Sequence, residues 1–373
     1  MKAIINGIII NDNKIFEGYI LIFDEKIIKM TKYVDISNME IIDAKGHFVS
    51  AGFIDLHIHG INGYDVMDAS KKALSNISDT LIRFGVTGFL ATTMTMSRES
   101  IIKALDNVKG YSKSSNILGV HLEGPFINPI QKGAQNSKYI KEFDAKFVEK
   151  YIDIIKMITL APEVYNNMKN IKDFHTKYPQ IILSIGHSNA SYDETIESFD
   201  SGISHATHLF NAMKPYHHRE PNIIGAIFER EDVSCDVIAD LIHSHKSTLN
   251  LVQKIKKDKL ILISDSIRAG CLKNGFYDLG GQSVEVKNDR ATLSDGTLAG
   301  SMLTLNRAVL NMINNTDITL PQAIYCVTKA PSMKLNIKKG DLQEDYDSDV
   351  VIFDNNLNIF MTIIKGSVVF DRL

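Results

Sequence analysis

The chain has 373 residues, 44% of them hydrophobic, with 41 basic against 44 acidic side chains and a formal net charge of −3. That is ample apolar material for a large core, and the two signs are interspersed, so a nucleic-acid-binding face or basic arm is excluded as a first reading. No apolar run approaches the ~20 residues of a membrane span. The opening stretch, Met1–Lys14, lacks the basic-apolar-small order of a secretory signal. The three cysteines, Cys235, Cys271 and Cys326, are widely spaced, which reads as free thiols in a reducing cytoplasm.

Residues 1–45 open the chain with short β-rich runs, Ala3–Asn6, Tyr19–Phe23 and Ile27–Met30, separated by turns such as Asn11-Asp12-Asn13. From residue 50 onward, apolar runs rich in β-branched residues alternate with helix-compatible stretches. The predicted strands are Phe53–His57, Gly88–Thr92, Ile117–Leu122, Met157–Leu160, Ile181–Ile185, Ile203–Thr207, Val233–Ala239 and Leu260–Ser264. Among the intervening helices, Ser191 to Glu194 reads as a capping box, and Gly85 follows a helical stretch ending near Phe84. The chain closes with Val350–Phe353, Phe360–Ile364 and Val368–Phe370.

Alternating βα units in this number predict an α/β fold, a (β/α)8 TIM-like barrel over residues 50–340. A doubly wound sheet would want a Gly-rich phosphate loop after its first strand, and Gly52-Phe53-Ile54-Asp55 is not one. Residues 1–49 and 341–373 are each too short for a core of their own. Paired, they make one small β-sandwich domain.

The distinctive feature is where histidines and carboxylates fall. His57 and His59 close the first predicted strand, Glu123 the third and His187 the fifth; His208 follows the sixth and Asp265 closes the eighth. In a barrel all strands run the same way, so these residues meet on one face, where barrel active sites are built. A His-x-His on a strand sends both rings to the same side because the side-chain period is two. Imidazole and carboxylate are the usual ligands of a hydrolytic zinc or iron site. Each piece alone has an ordinary explanation: a hydrogen-bonded core histidine, a helix cap at Asp265, a capping carboxylate before Pro125. The coincidence of all six at strand ends favours a metal centre. His121 shares the alternation of Glu123 but equally suits the barrel interior; His205 reads as a core or supporting residue. His217, His218 and His245 read as loop residues. Glu163 ends the fourth strand and either orients a ligand or caps.

The strings His121-Leu-Glu-Gly-Pro-Phe126, Gly186-His-Ser188, Thr207-His-Leu-Phe-Asn-Ala-Met213, Arg219-Glu-Pro221, Asp240 to His243, Ser264-Asp265 and Gly296-Thr-Leu-Ala-Gly-Ser301 come in a recognisable order. With Gly52–Gly60 they resemble the amidohydrolase superfamily and, within it, the N-acetylglucosamine-6-phosphate deacetylases, over nearly the whole chain. The resemblance implies hydrolysis of the acetamide of N-acetylglucosamine 6-phosphate in amino-sugar catabolism. It implies metal ligands at Glu123, His187 and His208, with His57 and His59 available for a second ion, since family members that keep that pair can hold two. The cofactor implied is a divalent metal, zinc or iron, one or two ions per subunit. Asp265 falls on the catalytic acid/base. Sugar and phosphate contacts fall on Ala134, Asn211, Ala212, Asp240, Leu241, Ile242, His243, Leu298, Ala299 and Gly300. Arg219 matches an arginine that reaches the phosphate bound by a neighbouring subunit, implying a homodimer.

Two departures stand out. Gln135 occupies a position that is commonly His, and the loop Ser266-Ile267-Arg268-Ala269-Gly270 replaces one usually made of small residues. Gln cannot carry charge, so the alternative of an epimeric substrate such as N-acetylgalactosamine 6-phosphate stands beside the first reading. Dihydroorotase-like and deaminase-like relatives are disfavoured because Glu123 sits where many of them place a bridging lysine. A non-catalytic barrel scaffold is disfavoured by the intact ligand set.

Overall fold

The computed structural model describes residues 1–373 apart from 112–115 and 166. Eight parallel strands pair in chain order: β1 (Phe53–Ile58), β2 (Val86–Thr92), β3 (Ile117–Glu123), β4 (Ile155–Leu160), β5 (Ile182–Ile185), β6 (Ile203–Ala206), β7 (Ser234–Ile238) and β8 (Leu260–Ile263). They are buried almost throughout, as strands covered on both faces must be, which is why each reads as a near-continuous apolar run. The predicted runs agree with these bounds to within one or two residues. The capping box is present, with the Ser191 hydroxyl accepting from the Glu194 N–H, and Gly85 ends its helix at φ 80°, where a Cβ would be strained.

The barrel is nearly closed. Between β8 and β1 the lower seam is filled by residues 326 and 327: Ile54 N–H donates to Val327 O at 2.7 Å and Leu262 N–H to Cys326 O at 3.1 Å. Higher up, Asp265 N–H donates to His57 O at 2.9 Å. The buried Asp55 carboxylate accepts from the N–H groups of His57 and Ser264 at 3.2 and 3.3 Å. The seam therefore closes directly beneath the residues predicted to do the chemistry.

The chain ends form two further sheets. One, in spatial order, contains Ile27–Thr31, Ile20–Phe23, Lys2–Ile5 and Glu40–Asp43; the other Ser367–Asp371, Ile359–Ile364, Val350–Phe353, Phe48–Ala51, Ile8–Asn11 and Lys14–Phe16. Ile4, Leu21 and Phe23 of the first pack with Ile9, Val49, Ile352 and Ile363 of the second in one small core. Strands Ile8–Asn11, Lys14–Phe16, Glu40–Asp43 and Phe48–Ala51 are absent from the predicted elements; two of them are edge strands with mostly exposed side chains and so carry little alternation.

A third small sheet, Gly275–Leu279, Gln282–Lys287 and Arg290–Thr292, is inserted after β8 and was also not predicted. Leu279, Val284, Val286 and Ala291 pack with Met94 and Ile267, which sets this sheet at the mouth of the barrel. Among the described residues no helix is long and apolar enough to cross a membrane.

Candidate metal centre and active site

Glu123 ends β3 and lies at the middle of the mouth. Its Oε1 is 3.1 Å from Nε2 of both His187 and His208, and 3.6 Å from Nε2 of His57. Its Oε2 is 3.3 Å from Nε2 of His59. The Nε2 atoms of His57, on β1, and His59, one residue past its end, are 3.2 Å apart, the two rings lying on one side as a period of two allows. Asp265 Oδ1 stands 3.4 and 3.3 Å from them. All six side chains are buried. Candidate ligand atoms of His57, His59 and Glu123 lie within 4.8 Å of one another, as do those of Glu123, His187 and His208. Glu123 belongs to both groups.

The loops hold these residues with care. His187 Nδ1 is 3.1 Å from the carbonyls of Gln131 and Lys132. His208 has φ 34°, an unusual backbone for a side chain of this size, and its N–H donates to Asp236 Oδ1. Asp236 Oδ2 lies 2.9 Å from His205 Nε2, and His205 Nδ1 2.7 Å from Ser234 Oγ. His205 is thus a core residue that supports the turn at His208 through Asp236. His121 also points inward, 3.0 Å from Leu56 O and 2.7 Å from Thr159 Oγ1. Glu163 accepts from Asn128 Nδ2, Asn189 N–H and Ser188 Oγ–H at 2.8, 2.7 and 2.9 Å, clamping the loop that carries His187.

Burial would push the Glu123 carboxyl up, but the rings of His57, His187 and His208 outweigh it and hold it well below its usual range. Asp265 is lowered in the same way, by His57 and His59 against burial. Burial would depress the histidines, yet Asp265 and Glu123 hold His59 well above its usual range, and Glu123 lifts His208 to about 9. These directions describe a buried centre that attracts positive charge to its carboxylates, whether as protons on the rings or as a cation among them. The donor set suits a divalent ion: imidazoles and carboxylates converge on shared space, and two backbone carbonyls hold His187 by Nδ1, which leaves its Nε2 for the centre.

The cavity above the centre has a volume of about 220 Å³. Ala134, Asn211, Ala212, His243, Leu298 and Gly300 line it, together with His59, Glu123, His187, His208 and Asp265. Asp240 stands one layer back. Its Oδ2 lies 2.7 Å from His243 Nδ1 and its Oδ1 accepts from the N–H groups of Ile242 and His243, both at 2.8 Å. Ala299 is buried behind the wall, whereas Leu241 is exposed and Ile242 does not line the cavity. Arg219 is exposed outside it, with Nη1 3.0 Å from His218 Nε2. Sequence reasoning missed Asp236 and left Glu163 open. The available signal for Asp236 was a charged residue, the only one, inside the predicted strand Val233–Ala239. A larger surface cleft of about 570 Å³ beside Arg98 and Phe143 contains none of these ligand groups.

A nearly closed parallel barrel with histidines and carboxylates gathered at the C-terminal ends of its strands is the arrangement of a metal-dependent hydrolase. The chain belongs to the amidohydrolase family, whose model matches residues 48–369. Its similar relatives include N-acetylglucosamine-6-phosphate deacetylases and, at 29% identity over 88% of this chain and 89% of the relative, the N-acetylgalactosamine-6-phosphate deacetylase of Escherichia coli O157:H7. The N-acetylglucosamine-6-phosphate deacetylase of Lysinibacillus sphaericus is 37% identical over 355 residues, covering 92% of this chain and 91% of the relative. That of Bacillus subtilis is 37% identical over 379 residues, covering 97% and 95%. The crystal structure of the Thermotoga maritima deacetylase superposes with a TM-score of 0.90 at 34% identity, covering 99% of both chains.

Proposed function

We propose that this chain hydrolyses the acetamide of N-acetylglucosamine 6-phosphate to glucosamine 6-phosphate and acetate. The observation that carries the reading is the position of Asp265, on the cavity wall with Oδ1 3.3 to 3.4 Å from His57 and His59 and across from Glu123. The likeness to curated deacetylases over almost the whole chain supports the choice of substrate.

Glu123, His187 and His208 would hold a divalent ion, with His57 and His59 for a second; zinc or iron suits this donor set. Such an ion supplies an acidified water, with a pKa of roughly 7, and polarisation of the amide carbonyl. Asp265 takes the proton of the attacking water and passes it to the departing nitrogen, because an amine cannot leave as an anion. Asp240 holds His243 by Nδ1, which leaves Nε2 to meet the sugar phosphate. Arg219 would complete the phosphate site from a neighbouring subunit in a homodimer, its planar fork matching phosphate oxygens. Holding the phosphate fixes the acetamide at the centre, a large part of the expected rate gain. We assign residues 1–49 and 341–373 to the small β-domain, residues 50–340 to the catalytic barrel, and the protein to the cytoplasm.

The test is acetate release from N-acetylglucosamine 6-phosphate, its galactosamine epimer and the unphosphorylated sugar, with zinc or iron supplied. Release chiefly from the first is expected. No release from any phosphorylated sugar would end the reading, and faster release from the epimer would move it to N-acetylgalactosamine 6-phosphate.

A further inference from the structure

Gln135 lies on the loop after β3, is 3% exposed and lines the cavity. Both ends of its amide are engaged. Oε1 accepts the Thr95 N–H at 2.7 Å, and Nε2 donates to Glu123 Oε2 at 2.7 Å. The chemistry fixes this orientation, since a backbone N–H can only donate and a carboxylate only accept. Gln135 is therefore anchored on the main chain that follows β2, and it grips one chosen oxygen of Glu123.

That oxygen matters because the two differ in their neighbours. Oε1 faces His187 and His208, both at 3.1 Å, with His57 farther off at 3.6 Å, and Oε2 faces His59 at 3.3 Å. The terminal torsion of a glutamate is broad, so nothing in Glu123 itself keeps Oε2 turned toward His59 while Oε1 faces His187 and His208. A carboxylate free to turn can close both oxygens on a single ion. An amide donor on Oε2 occupies one lone pair and leaves the other toward His59. Resting on the metal-centre reading above, we propose that Gln135 is a positioning residue: it holds Glu123 as a bridge between the two histidine pairs and so secures a second divalent ion at His57 and His59. The polar side chain that departs from the family pattern thus acts on the centre through Glu123.

The experiment is a zinc titration of metal-free full-length protein, with bound zinc counted by elemental analysis and both affinities read by competition with a chromophoric chelator. Gln135→Met keeps the length and apolar volume but removes both hydrogen bonds. Wild type is expected to take two ions. The variant should keep the first affinity within about threefold and lose about 10–100-fold on the second, the range seen when a partner of a metal ligand is removed. Metal-free melting temperatures should agree. Activity of the variant should recover as free zinc is raised, which a purely structural defect would not allow. A single zinc in wild type, an unchanged second affinity in the variant, or equal weakening of both ions with a lower metal-free melting temperature would each overturn the proposal. If Gln135→Met does not fold, Gln135→Asn, one methylene too short to span both partners, is read in the same way. The titration needs no substrate, so failure of the deacetylase assay and failure of this proposal are separate results.

Discussion

Asp265 sits in a left-handed backbone conformation, φ 47°, locked by its N–H to His57 O and by Ser301 N–H to its own carbonyl at 2.8 Å. Its geometry is set by the main chain, so Asp265→Asn should leave the centre in place and remove only the proton carrier. A 10²–10⁴-fold fall in kcat is expected from loss of a general acid/base, with metal content and KM little changed. Near-normal turnover would take Asp265 out of its role. Asp236 acts differently: it touches His208 through the backbone and His205 through the ring. Asp236→Ala leaves a buried N–H and a buried imidazole without their acceptor, and is expected to cost about 2–3 kcal/mol. Urea unfolding measures this, and a variant as stable as wild type would show that other contacts hold the turn.

At the scale of elements, the site depends on strand ends being tied to one another across the mouth. Glu163 follows β4 but bonds the loops after β3 and β5 through Asn128, Ser188 and Asn189. Glu163→Ala should therefore destabilise by about 2 kcal/mol, as for loss of charge-assisted hydrogen bonds, and should weaken metal binding through the displaced His187 loop. Thermal melting and zinc affinity check the two parts separately; unaltered zinc affinity would confine Glu163 to stability. The strands themselves were legible because buried parallel strands are apolar along their length, and His57 and His59 because alternation puts both on one face. The inserted sheet was less so. Val284 and Val286 alternate with Ser283, Glu285 and Lys287, a strand signal, but one confined to six residues on a surface sheet with a small core of its own.

For the whole molecule, the two end segments of the chain meet: Lys2 Nζ donates to Gly366 O at 2.9 Å, and Val350–Phe353 pairs antiparallel with Phe48–Ala51. Lys329 reaches Asp12 at 2.7 Å and Asp341 at 3.0 Å, and Lys339 pairs with Asp349 at 2.6 Å and Asp347 at 2.9 Å. Six ionisable groups buried at the barrel mouth add a demand for a counter-ion that the protein alone meets only by protonating its rings. Binding of an ion to the native state alone stabilises it, by about 2.7 kcal/mol at 100 times the dissociation constant. Chelation is therefore expected to lower the melting temperature and re-addition of zinc or iron to restore it, followed by scanning calorimetry. A melting temperature indifferent to both would mean that the cluster holds no ion. The sequence alone determined the barrel, its eight strands and the six residues at their ends, because periodicity and the common direction of parallel strands are local properties repeated along the chain. Only the tertiary structure decided that Glu123 stands between two histidine pairs, that Gln135 grips one of its oxygens, and that Asp236 and Glu163 hold the ligand loops. Those relations join residues from different strands, and their distances depend on how the barrel closes.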